Sequence, residues 1–148
     1  MDPTGRFWYR AGDLGNGVQE AEILKTLRLV IGVDDTQPGR LRLFPRLPFG
    51  WSEMSVDKYP VLMAHEGKLE TATLHYKLAR SGRRMKLEIA ASQELGPVVV
   101  RLGPFEQQPG AASVLVNGKC PENTVEQSGD SWWVRFSLAS VPQATTAR

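Results

Sequence analysis

Two adjacent tryptophans, Trp132 and Trp133, stand in the run SWWVRFSL, with Arg135 two positions after the second. Neighbours on a strand point to opposite faces. Trp132, in step with Val134, Phe136 and Leu138, belongs to a core, and Trp133, in step with Arg135, belongs outside. An outward indole beside a guanidinium is suited to stack on a sugar ring. It is equally suited to cover an apolar neighbour, and that packing role is the expected one. Cys120 follows Lys119, which favours the thiolate. No histidine is near it in sequence, so a nucleophile lacks its base, and a structural or incidental cysteine is expected. His65 and His75 sit apart, without cysteine or carboxylate at ligand spacing, so no structural metal is expected. Gly12, Gly15 and Gly17 of GDLGNG precede a helical pattern but follow no strand. The context of a dinucleotide or phosphate loop is therefore missing, although a helix N-terminus can hold an anion. No cofactor is expected.

The elements that must position these groups fit one domain, because 148 residues are enough for one real core and few for two. The 18 basic and 16 acidic residues are mixed along the chain. Only Arg80 to Arg84 (RSGRR) forms a basic knot, and it reads as a hairpin tip, so a nucleic-acid partner is not expected. No signal-peptide pattern and no bilayer-spanning apolar run are present, so no membrane is expected. With a single cysteine there is no call for an oxidising compartment, and a cytoplasmic location is favoured.

The spacing predicts one helix, Val18 to Ile31, with Asn16 as N-cap, Gln19 completing a capping box and Gly32 as the left-handed stop. Ile23, Leu24, Leu27, Val30 and Ile31 fall on one arc, while Val18 and Leu29 fall opposite. Such a helix expects neighbours on both sides. After the turn Asp34 to Arg40 the pattern is β: Leu41 to Phe44, Ser52 to Val56, Tyr59 to Met63, Leu69 to Ala79, Met85 to Ile89, Pro97 to Gly103, Ala112 to Gly118 and Ser131 to Leu138. Asp57-Lys58 separates two of these strands. Pro45 and Pro48 mark Leu41 to Phe44 as an edge or crossover strand, followed by a rigid bend with Trp51 as a buried plug. The fold class is mainly β: an antiparallel β-sandwich of about seven or eight strands with one N-terminal α-helix packed at its edge. Residues 1–39 form the N-terminal loop and helix, 40–140 the sandwich and 141–148 a flexible tail.

The order of these motifs resembles one family. A glycine-rich loop, a helix ending in GV, an acidic turn, LRLFPRLPFGW and a late RLGPF…SVLVNGK…WWVRF series are similar to the C-terminal region of bacterial glycoside hydrolases with an (α/α)6 barrel, such as the α-L-rhamnosidases. The likeness runs from Phe7 to Leu138. It implies that residues 7–31 correspond to the tail of a barrel and residues 40–138 to an accessory sandwich, while the barrel with its catalytic carboxylates is missing. Glycoside hydrolysis needs two carboxyl groups roughly 5 to 9.5 Å apart. On the side that corresponds to the family's pocket stand Asp13, Glu20 and Glu22. Glu20 lies near the apolar arc, where a carboxyl pKa can rise. A turn role for Asp13 and a surface pairing for Glu20 are the expected ones, because a pocket also needs walls. The leading reading is a non-catalytic accessory module bracing a barrel that lies in a longer protein or a separate chain. The second is an independent carbohydrate-binding module using Trp133 and Arg135, with Asp13 and Glu20 as further contacts. The third is a glycosidase remnant using Asp13 and Glu20. A homodimer through the helix is expected from its uncovered apolar side.

Overall fold

A computed structural model describes residues 22–37, 39–65, 68–110 and 112–144. The helical cap at Asn16, the cluster Phe7 to Tyr9 and the start of the helix lie outside these residues. Within them, residues 22–31 are helical (α1). The helix stops at Gly32 for two reasons. Gly32 holds φ at 67°, a conformation that side chains resist. A Cβ at this position would also lie 2.1 Å from the carbonyl oxygen of Phe44.

The end of α1 is bonded into the rest of the fold. The Arg46 N–H donates to the Val30 carbonyl at 2.9 Å, and the Phe44 N–H donates to the Gly32 carbonyl at 2.7 Å. The Tyr76 hydroxyl donates to the Ile31 carbonyl at 2.7 Å. Carbonyls that a helix end leaves open are thereby satisfied. Burial holds the Tyr76 phenol well above its ordinary pKa, so the hydroxyl remains a donor.

Among the described residues nine strands follow: β1 (Val33–Asp34), β2 (Leu41–Leu43), β3 (Glu53–His65), β4 (Lys68–Ser81), β5 (Arg84–Ala91), β6 (Val98–Phe105), β7 (Val114–Val116), β8 (Asn123–Ser128) and β9 (Ser131–Leu138). They form two sheets, in the orders β1-β2-β6-β9-β8 and β3-β4-β5-β7. The sheets face each other across one core. Leu43, Val100, Leu102 and Phe136 of the first and Leu74, Leu78, Met85 and Leu87 of the second belong to a single buried cluster. Alternation places them there: in β4, Ala72, Leu74, Tyr76 and Leu78 are buried and the residues between them are not.

The fold class is the one the sequence predicts, a β-sandwich with one helix, and several details differ. Two pairings, β2 with β6 and β5 with β7, run parallel. Each joins a three-residue strand to a longer one, and the chain between the two visits the other sheet, so no hairpin dictates antiparallel order. Asp57-Lys58 does not separate two strands but forms a bulge inside one long strand, with Lys58 at φ 54°. β2 is a crossover strand, as expected, but not an edge, since β1 covers its outer side. Trp51 is not a buried plug: it is 59% exposed. The Trp51 N–H closes a turn on the Pro48 carbonyl at 3.1 Å, with Gly50 at φ 81°, and this surface turn leaves Phe49 and Trp51 outside. The sandwich also reaches beyond 40–140. It begins at β1, and Val141 is fully buried and bridged to Leu95, so the tail is tied down at its start.

Candidate functional site

Three surfaces gather chemistry. The first is α1. Val30 and Ile31 pack on the core, but Ile23, Leu24, Leu27 and Leu29 are between 51% and 61% exposed. Among the described residues, nothing covers the part of the apolar arc formed by Ile23, Leu24 and Leu27, and Leu29 is exposed on the opposite side. Beside it runs an apolar groove of about 510 Å³, walled by Leu29, Val33 and Phe44 with Arg28 and Arg46 at its rim. Glu22, also on α1, pairs with Lys25 at 2.7 Å on the helix surface.

The second is the outer face of the first sheet. Val98, Val100 and Leu102 point inward, so Val99 and Arg101 point outward; Val134 and Phe136 point inward, so Trp133 and Arg135 point outward. Trp133 is half-buried. Its indole lies against Gly103, where a Cβ would come within 2.8 Å of the ring, and the Arg101 guanidinium stacks 4.3 Å from its centroid. Arg46 reaches the same ring at 5.9 Å. Trp132 is partly buried against the core. Arg135 is exposed and pairs with Glu126 at 3.5 Å, and Glu126 also meets Arg101 at 3.4 Å. Trp133 and Arg135 therefore share one face, as their spacing predicts. The partners Arg101, Glu126 and Gly103 were not legible, because they come from strands distant in sequence. Asp13 and Glu20 lie outside the described residues.

The third is the outer face of the second sheet, which sequence reasoning missed. The Asp57 carboxylate contacts Nδ1 of His75, and Nε2 of His75 is 3.3 Å from the Thr73 hydroxyl. Carboxylate, imidazole and hydroxyl in that order are the parts of a nucleophilic relay. Here they lie on an open strand face, with the Asp57 side chain 73% exposed to water. The β3–β4 register brings Asp57 and His75 together across the bulge, a proximity that no local motif announces. Among the described residues no cluster of histidine, cysteine and carboxylates is arranged to hold a metal. Cys120 is exposed.

One electrostatic detail ties α1 to the sheet. Asp34 accepts hydrogen bonds from the Thr36 hydroxyl at 2.6 Å and the Thr36 N–H at 3.2 Å. Those bonds, then Arg42 and Arg28, hold its carboxyl below the usual carboxylate range. A depressed folded pKa contributes stability that is present above the ordinary value and is lost as pH falls through the folded one. The expected result is a small effect, because the group is near the surface. Compared by acid titration with Asp34→Asn protein, the wild type should be the more stable at neutral pH, with the difference vanishing below the carboxylate range. A difference independent of pH would contradict this.

Fold and surfaces together define a two-sheet β-sandwich carrying a helix anchored at its C-terminal end, whose apolar face is largely exposed among the described residues. Compared with known proteins, the chain matches no family model, no curated protein and no solved structure.

Proposed function

We propose that the chain is a non-catalytic accessory module that docks through α1 onto a neighbouring helical domain, as the sandwich of an (α/α)6-barrel glycoside hydrolase braces its barrel. The neighbour lies in a longer protein or in a separate chain. The observation that supports this reading is the helix itself. Its C-terminal end is fixed to the sandwich by bonds from Phe44, Arg46 and Tyr76, while Ile23, Leu24, Leu27 and Leu29 face outward. Ile23, Leu24 and Leu27 share one arc of a helix tied at its end, are costly to leave in water and have the form of a helix-packing surface, with Leu29 exposed on the opposite side.

The test has two arms. Co-expression with a helical barrel encoded in or beside the same reading frame should yield a complex that Leu24→Glu/Leu27→Glu disrupts. The isolated chain should turn over no aryl glycoside, rhamnosides included. Turnover that disappears in Asp13→Asn or Glu20→Gln protein would overturn the accessory reading, as would a barrel that binds wild type and double variant alike.

The carbohydrate-binding reading rests on Trp133 and Arg135. The stacking of Arg101 and the approach of Gly103 support a packing role for this indole, since a sugar platform needs a free ring face.

A further inference from the structure

The outer face of the first sheet carries more positive charge than its partners neutralise. Arg101 and Arg135 are direct cross-strand neighbours. Like charges in that position repel. Among the described residues Glu126 alone bridges them, at 3.4 and 3.5 Å. The Nε of Arg101 is buried without a hydrogen bond, so the contact with Glu126 leaves that donor unsatisfied. Each guanidinium carries more donors than one carboxylate oxygen can accept.

Across Val99 stands Arg42, which faces Asp34 at 3.7 Å and Gln37 at 3.3 Å. Arg40 is exposed at the same rim, and among the described residues its side chain has no carboxylate partner. These four arginines line one groove of about 620 Å³. Its apolar lining comes from Val99, Phe44 and Pro97, whereas Leu41, in step with Leu43, packs against the core. Arginine forks match carboxylate oxygens, and an apolar floor suits the C–H face of a ring.

We propose that this groove binds an acidic saccharide of the uronate type. One carboxylate meets Arg101 and Arg135, the ring lies over Val99 and Phe44, and a second carboxylate meets Arg40 and Arg42. A simple inorganic anion would use the arginines but not the floor. The proposal is independent of whether α1 docks on a barrel, because the two surfaces use different residues.

Calorimetric titration of the full chain with trigalacturonate tests it, with maltotriose and inorganic phosphate as the other probes. Saturable binding of trigalacturonate is expected, weakened at least tenfold in both Arg135→Gln and Arg42→Gln protein, with maltotriose silent and phosphate far weaker. Both variants alter half-exposed or exposed side chains, and circular dichroism checks that each retains its sheet signal. Absence of trigalacturonate binding would overturn the proposal. So would binding no tighter than that of phosphate, or binding indifferent to either substitution.

Discussion

Leu43→Ala protein should lose about 2 to 5 kcal/mol of stability, read as a lower midpoint in urea with an unchanged slope. Leu43 is completely buried although it sits in a strand of only three residues. It is paired with Val33 of β1 on one side and Val100 of β6 on the other, so its side chain fills the space where the helix-bearing end of the chain meets the sandwich. Truncation leaves a cavity that β-sheet neighbours on both sides hold open. The contrast is Phe49→Ala, six residues on. Phe49 is fully exposed, and its loss should change stability by less than about 0.5 kcal/mol. Equal costs at the two positions would mean that the bend after β2 is packed and that β2 is not a core strand.

Gly32→Ala should be nearly as damaging, at about 2 to 4 kcal/mol, from a single added methyl group. Two penalties coincide. The position requires φ at 67°, and the new Cβ would lie 2.1 Å from the Phe44 carbonyl oxygen and 2.6 Å from the Pro45 nitrogen. Those are backbone atoms, so no side-chain rotation relieves the clash. The segment 44–46 must move, and it carries the donors that close the end of α1. Hydrogen exchange should therefore accelerate at the amides of Phe44 and Arg46 while the β4–β5 hairpin keeps its protection. Gly82→Ala is the control, since Gly82 also has a positive φ but open space around it. If Gly32→Ala costs no more than Gly82→Ala, the close approach of α1 to the strand after it does not exist.

The strands that sequence reading located well are those with an alternating pattern and one buried face. Leu69 to Ala79, Met85 to Ile89 and Ser131 to Leu138 lie in or coincide with β4, β5 and β9 for that reason. β8 was not legible because NTVEQS is almost wholly polar; an edge strand with half-exposed side chains need not alternate. β1 is only two residues long, too short for any period. Asp57-Lys58 has the composition of a turn, and only the pairing with β4 on both sides of it makes it a bulge. Gly32 as a helix stop was legible because its cause is local, whereas its contact with Phe44 is not. The same division holds for the surfaces. Trp133 and Arg135 share a face by their own spacing. Arg42, Arg101 and Glu126 join them only through the register of β2, β6, β9 and β8.

The exposed row on α1 carries the functional account, and sedimentation velocity over a wide concentration range tests it most directly. Without its neighbour, the isolated chain should cover Ile23, Leu24 and Leu27 with the same surface of a second copy, because a symmetric pair buries one patch twice. The account predicts a monomer–dimer equilibrium that shifts with concentration. It also predicts that Leu24→Glu/Leu27→Glu protein, with its sheet signal intact, sediments as a monomer throughout. A wild-type chain that is monomeric at every concentration, or a dimer that survives both substitutions, would contradict the claim that this helix is a docking surface.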